Sequence, residues 1–211
     1  MIDLYTWPTP NGRKISILLE ELGITYKAHA IDITKNEQFK KSFSKISPNN
    51  KIPAIIDTEN GITLFESGAI ILYLSNKNNK FCPKKYYWEV MKWFFFQTSQ
   101  VGPFLGQAHQ FLYYNKGKSS FAEKKYIDYV ERVYDTLDAR LKQNEYLGIE
   151  YSIADIATWP WIARYELHKM KLQNYKNILR WYKSISKRPA VIKGYNVVGE
   201  KLKIPMPKLY K

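Results

Sequence analysis

Apolar residues in the first third of the chain recur with two different periods. Ile2 to Tyr5 is a short run of strand length. Thr6-Trp7-Pro8-Thr9-Pro10-Asn11-Gly12 then forms a loop dense in turn residues. Ile15, Leu18, Leu19 and Leu22 recur at helical spacing, and Gly23 can close that helix in a left-handed conformation. Tyr26 to Ile33 predicts a second strand, and Gln38 to Ile46 a helix with Phe39, Phe43 and Ile46 on one face. Pro53 opens the run Ala54-Ile55-Ile56; a proline cannot donate to a sheet ladder, so it fits a strand's first position. Ile62 to Leu64 follows through a turn at Asn60-Gly61, and Glu66 to Ser75 predicts a third helix.

Beyond a polar break at Asn76 to Pro83 the strand period disappears. Tyr86 to about Phe111 reads as a long aromatic helix, bent near Gly102-Pro103 and Gly106. Tyr126, Tyr129, Val130, Val133, Leu137 and Leu141 place a helix over about Phe121 to Leu141. Tyr151-Ser152-Ile153-Ala154-Asp155-Ile156 carries a start signal, with Ser152 as cap, Asp155 answering it, and Tyr151 stapled to Ile156. Further helices are predicted over Trp181 to Ile185 and Pro189 to Val198. The basic tail, Lys201 to Lys211, contains two prolines and is expected to wrap a surface or be mobile.

Composition narrows the class. With 211 residues, 45% of them apolar and 16% aromatic, the chain can bury a sizeable core. Cys82 is alone, which excludes a disulfide framework and a cysteine-rich metal site; no metal is expected. No apolar run approaches the ~20 residues of a membrane span, and Met1 to Tyr5 has no leader-like character. A soluble cytoplasmic protein without a membrane partner is the expectation. A net charge of +14 could mark a nucleic-acid surface. The lysines are scattered, however, and Lys, Asn, Ile and Tyr are all abundant, as in proteins from AT-rich genomes. The charge is therefore read as compositional, and no nucleic-acid partner is expected.

Candidate chemistry concentrates in Ile46 to Ile55 and in Leu64 to Tyr73. Glu66-Ser67 stands where a strand turns into a helix, whose free N–H groups favour an anion. Ile52, before Pro53, is biased toward an extended backbone able to pair with an extended peptide. The plainer reading is that Pro53 starts a strand and Glu66-Ser67 caps a helix. Lys51-Ile52-Pro53-Ala54 followed by Phe65-Glu66-Ser67-Gly68-Ala69-Ile70 resembles the glutathione site of the glutathione transferases. The resemblance runs from Met1 to about Gly199. It narrows at Pro8-Thr9-Pro10-Asn11-Gly12, at Ile46 to Ala54 and at Gly102-Pro103-Phe104-Leu105-Gly106-Gln107. These stretches are similar to the nu-class bacterial transferases and to the transferase-like domains of fungal nitrogen-regulator proteins.

The resemblance implies an α/β thioredoxin-like N-terminal domain and an all-α C-terminal domain. Residues 1–76 would bind glutathione, 77–86 would be a linker, and 87–211 would form the helical domain with its basic tail. The bond before Pro53 would be cis, the Ile52 backbone would pair with the cysteinyl part of glutathione, and Glu66 and Ser67 would hold its γ-glutamyl end. Lys51 and Gln38, the latter at the wet rim, would meet the glycine end. Lys125 would take the place of an arginine that reaches the ligand from a partner subunit, which implies a homodimer. Lysine lacks the bidentate fork of arginine.

Glutathione reacts through its thiolate, and a free thiol has a pKa of about 8.5, so a protein must favour the anion. Thr9 and Asn11 can each donate to a sulfur ahead of the first helix, and the active loop holds no cysteine. Their plainer role is to make a turn and a cap. Tyr5 is expected in the core, Cys82 is expected to be structural, and His109 is expected to have a packing or surface role. Phe104, Phe111, Tyr114 and Trp159 would shape the second-substrate pocket. The favoured reading is a glutathione transferase with glutathione-dependent disulfide reductase activity, acting on a small disulfide or an electrophile. The rival is a catalytically weak binding or scaffold domain with a protein or nucleic-acid partner.

Overall fold

The computed structural model describes residues 1–199 and 201–207; residue 200 and the end of the expected basic tail, residues 208–211, lie outside the described residues. The chain groups into two compact units. The first comprises Met1–Phe81 and Lys187–Ile204; the second comprises Cys82–Ser186 and the described residues after Ile204.

In the first unit, strand β1 (Ile2–Thr6) is followed by helix α1 (Pro10–Leu22) and strand β2 (Tyr26–Ala30). Strands β3 (Ala54–Asp57) and β4 (Ile62–Phe65) and helix α3 (Ser67–Asn78) come after a short helix, α2 (Lys41–Ser44). The sheet order is β2-β1-β3-β4, with β1 parallel to β2 and antiparallel to β3, and β3 antiparallel to β4. This is a thioredoxin-like arrangement. Pro10 opens α1 where a missing N–H costs nothing, Thr9 caps it, and Gly23 closes it at φ 70°. Gly12 lets α1 start against the end of β1: a Cβ there would lie 2.2 Å from the Trp7 carbonyl oxygen and 2.4 Å from Thr6 Oγ1. Gly12→Ala is therefore expected to lower stability by about 2–3 kcal/mol, measured as a fall in the urea midpoint.

The predicted second strand stops at Ala30 rather than Ile33. Asp32 accepts from the Thr34 N–H (2.9 Å) and hydroxyl (2.5 Å), and Glu37 accepts from the Asp32 N–H (2.9 Å), which folds 33–35 into a 3₁₀ turn. The predicted Gln38–Ile46 helix breaks at Lys40, which is extended (φ −64°, ψ 135°). That break turns Phe39 out to 63% exposure, while Phe43 remains buried.

The second unit is helical. Its first long helix runs as α4 (Tyr87–Phe96), a π turn (Gln97–Val101), α5 (Gly102–His109) and a second π turn (Gln110–Tyr114). Pro103 has no N–H to give, and the ladder shifts to an i+5 bond from the Gly102 N–H to the Gln97 carbonyl. Helices α6 (Ser120–Gln143), α7 (Ile153–Ile162) and α8 (Lys176–Ser186) complete the unit. Every residue of α7 is buried, and the expected Ser152–Asp155 capping box starts it. Asp155 accepts from the Ser152 N–H (3.0 Å) and hydroxyl (3.0 Å), the Leu147 N–H (2.9 Å) and the Trp181 indole N–H (2.8 Å).

The last helix, α9 (Pro189–Tyr195), lies in the segment Lys187–Ile204, which groups with the first unit rather than with the helical domain of the 87–211 assignment. Polar ties to α1 explain this. Ser16 donates to the Gly194 carbonyl (2.6 Å), Arg13 donates to the Tyr195 carbonyl (2.9 Å), and Arg188 holds Glu21 with two bonds, 2.6 and 2.8 Å long. Among the described residues no helix is long and apolar enough to cross a membrane.

Candidate active site

The turn after α2 comes first. Ser47, 1% exposed, donates to the Lys51 carbonyl (2.8 Å) and accepts from the Lys51 N–H (3.4 Å). Asn50 sits at φ 52°, and its N–H donates to the Ser47 carbonyl (2.9 Å). This closed turn delivers Ile52 into a cis peptide bond with Pro53 at the head of β3. Among the described residues nothing pairs with the N–H or C=O of Ile52, so both remain available to an extended ligand.

Glu66 precedes α3 at φ 68° and ψ 114°, a left-handed conformation that costs a non-glycine residue about 1–3 kcal/mol. Its side chain makes no capping bond to the helix. Capping alone therefore does not explain this glutamate. Ser67 is the first residue of α3, where N–H groups lack intrahelical partners and favour an anion. Asn11, Ser47, Asn49, Lys51, Ile52, Pro53, Phe65, Glu66 and Ser67 line one cleft with about 330 Å³ of empty space, part of it open solvent.

The cleft thus brings together Asn11, Lys51, Ile52, Pro53, Glu66 and Ser67. Thr9 stands one turn-residue away from Asn11. Its hydroxyl oxygen accepts from the Gly12 N–H (3.2 Å), as the plainer reading required, and the hydroxyl proton remains to donate elsewhere. Gln38 does not line the cleft, and its Oε1 is buried, with no hydrogen-bond partner among the described residues, rather than at a wet rim. The cause is again the break at Lys40, which places Gln38 in a 3₁₀ turn. Glu66 itself is exposed. Lys125 lies on α6 in the other unit, its ammonium 5.8 Å from the centre of the Phe121 ring.

Other expectations changed with packing. Tyr5 is half-buried and stacks on His29, with ring centres 4.6 Å apart, because β1 and β2 pair those two positions. Trp159 does not shape an open pocket. It is 1% exposed in α7, stacks on Tyr182 at 5.4 Å and donates to the Tyr182 carbonyl (3.3 Å). Phe104 stacks on Tyr129 (4.2 Å) and Phe111 on Tyr126 (5.3 Å), while Tyr114 is exposed. His109 is a packing residue: its Nε2 meets His168 Nε2 at 2.8 Å, and His168 Nδ1 meets the Tyr134 hydroxyl at 2.9 Å. Burial lowers His109 to about 4, so it is neutral at physiological pH. Cys82 is half-buried, and burial raises its thiol pKa. No cluster of potential metal ligands occurs among the described residues.

Sequence reasoning missed Ser47, Asn49, Phe65 and Lys14. Lys14 is 2% exposed and donates to Ser67 Oγ at 3.3 Å. Burial pushes it down to about 7, against the opposing pull of Glu66. A signal was present: Lys14 stands beside Ile15 and four residues before Leu18, on the apolar side of α1.

Residues 1–76 match the family model of the glutathione S-transferase N-terminal domain, and residues 101–189 that of the C-terminal domain. The disulfide-bond oxidoreductase YfcG of Escherichia coli is 41% identical over 198 residues, which cover 90% of this chain and 92% of that protein. The crystal structure of a glutathione transferase from Pseudomonas putida, with one glutathione disulfide bound per subunit, superposes with a TM-score of 0.90 at 34% identity, covering 94% of this chain and 92% of that one. A glutathione transferase from Burkholderia graminis, with two glutathione molecules per subunit, gives a TM-score of 0.86 at 37% identity, covering 92% and 87%. With both domains matched and the thioredoxin-like sheet carrying its cis-proline cleft, the chain belongs to the glutathione S-transferase family.

Proposed function

We propose that the chain is a glutathione-dependent disulfide reductase of nu-class type that works through the thiolate of bound glutathione, without a protein cysteine. The observation that carries this is the cleft itself. The unpaired Ile52 backbone, the Glu66 carboxylate that caps nothing and the Ser67 helix start stand together with Asn11. In this reading residues 1–76 bind the ligand. Ile52 pairs with its cysteinyl part, Glu66 takes the ammonium of the γ-glutamyl end, and Ser67 takes the carboxylate. Lys51 serves the glycine end, a contact that Gln38, outside the cleft, does not share. Asn11 and Thr9 donate to the sulfur and favour its anion. Attack on a small disulfide breaks its S–S bond, forms a mixed disulfide with glutathione and releases one thiolate. A second glutathione thiolate then attacks the glutathione sulfur of that mixed disulfide, giving glutathione disulfide and the second thiol. The bound ligands of the P. putida and B. graminis proteins support this order of events, as does the similarity to YfcG. Conjugation to an electrophile is a second activity of the same site, and the cytoplasm, rich in glutathione, is the proposed location.

The test is turnover of a small model disulfide with glutathione, run beside an aryl-halide conjugation assay. Disulfide reduction should be the faster reaction. Retention on immobilised glutathione without turnover in either assay would favour the scaffold reading instead.

The same proposal includes a homodimer in which Lys125 reaches the partner's ligand. Trp88 and Phe95 on α4 are 76% and 58% exposed and seven residues apart, so they share one face. Trp88→Glu is expected to weaken self-association by at least ~30-fold, about 2 kcal/mol, in analytical ultracentrifugation. An unchanged sedimentation coefficient across the same dilution series would argue against this face.

A further inference from the structure

We propose that the helical unit carries an anion subsite of its own, in which the Arg164 guanidinium and the Nδ1–H of His109 together bind a small oxyanion, a carboxylate or a phosphate. The proposal does not depend on the glutathione reading, because every residue in it belongs to the second unit and none lines the cleft.

A chain of two hydrogen bonds fixes which nitrogen of His109 carries its proton. Tyr134 is fully buried, and its hydroxyl meets one partner among the described residues, His168 Nδ1 at 2.9 Å. A buried hydroxyl that only accepted would strand its own proton, so Tyr134 donates and His168 Nδ1 accepts. Burial keeps His168 neutral, so its one proton sits on Nε2 and is donated to His109 Nε2, 2.8 Å away. His109 is neutral for the same reason, and its proton must then sit on Nδ1. Among the described residues nothing accepts that N–H. His109 keeps 7% of its surface exposed, so an edge of the ring reaches solvent.

Arg164 stands beside this donor. Trp161 stacks on His109 at 5.7 Å and His168 bonds to it; Arg164 lies three residues after the first and four before the second. Turn bonds from the Arg164 N–H to the Trp161 carbonyl (3.0 Å) and from the Leu167 N–H to the Arg164 carbonyl (2.9 Å) keep these residues on one side of the chain. Among the described residues no carboxylate pairs with Arg164, no ring lies under it, and its Nε is buried without a hydrogen-bond partner. The plainer role of a half-buried arginine is to lay its stem on apolar surface and keep its head in water. That role does not account for an Nε cut off from water and from protein alike. The other arginines of this unit are engaged: Arg132 over the Tyr129 ring, Arg140 with the Leu147 carbonyl and Glu89, and Arg180 with the Leu141 and Asn144 carbonyls. A fixed positive charge and a neighbouring N–H, with no acceptor for either, suit the oxygens of an anion.

NMR of the 15N-labelled protein at pH 7 tests the chain and the site together. The imidazole spectrum should show His109 protonated on Nδ1 and His168 on Nε2. Titration with succinate or with inorganic phosphate should then move the His109 Nδ1 signal along a saturating curve, and the tighter of the two names the oxyanion. Dimethyl succinate, which carries no charge, should leave the signal in place. Arg164→Met should weaken anion binding by about 10-fold or more. A His109 proton on Nε2, no saturable shift with either anion, or an equal affinity in a folded Arg164→Met would each overturn the proposal. Should Arg164→Met fail to fold, Arg164→Gln carries the same comparison.

Discussion

Asp155→Ala is expected to cost about 4 kcal/mol or more of folding stability, a larger loss than Gly12→Ala should bring. The carboxylate is fully buried and accepts four hydrogen bonds, from the Leu147 and Ser152 N–H groups, the Ser152 hydroxyl and the Trp181 indole. Alanine strands these donors, and each buried unmet donor costs about 1–3 kcal/mol, although some will relax toward water. Burial raises this carboxyl to about 6, while the four donors oppose that rise; at pH 7 it is ionised and accepts all four. Asp155→Asn keeps one acceptor oxygen and should lose roughly half as much. Trp181 reports directly on the site, so urea unfolding followed by tryptophan fluorescence is the measurement. A midpoint within error of the wild type for Asp155→Ala would show that the network is not what holds α7 in place.

Asn11→Ala is expected to lower kcat for glutathione-dependent disulfide reduction by about 10–100-fold with a smaller change in KM. A charge-assisted bond to a developing thiolate contributes about 1.5–3 kcal/mol, and the bond is strongest when the sulfur carries most charge. Thr9→Ala should act in the same direction but less cleanly. Thr9 also accepts the Gly12 N–H as the α1 cap, so its loss should cost about 1 kcal/mol of stability as well. Cys82→Ser should leave the rate unchanged. Cys82 stands outside the cleft, and burial keeps its thiol protonated and so poorly nucleophilic. Loss of disulfide reduction in Cys82→Ser would falsify the cysteine-free route. Aryl-halide conjugation faster than disulfide reduction in the wild type would overturn the choice of reaction without touching the fold.

Much of this protein was legible in the chain alone, because the signals were local. Period-two and period-3.6 runs are set by which faces must leave water, and they located β1, α1, β3, β4, α3 and the α6 helix. The Ser152–Asp155 box needs only four consecutive residues to close, so its letters sufficed. Pro53 and Glu66-Ser67 were likewise visible as a strand opening and a helix opening. That Asn11 joins them in one cleft follows once the thioredoxin-like strand order is assumed, since β3 pairs directly with β1.

What tertiary structure alone decided are the partnerships between residues far apart in the chain. Helix α8 starts at Lys176, well before Trp181, because Asp138 of α6 caps it, accepting from the Asn177 and Ile178 N–H groups at 3.0 Å each. That cap comes from a residue about forty positions earlier in the chain. The joining of Lys187–Ile204 to the first unit depends on Ser16, Arg13 and Glu21 finding partners more than a hundred and sixty positions away. The burial of Lys14 behind Ser67 is of the same kind. Periodicity put that lysine on the apolar side of α1, but only the packed helix α3 gives its ammonium a hydroxyl to hold. Hydrophobic pattern is a property of each segment taken singly; the match of a buried charge to its partner exists only after the segments have been brought together.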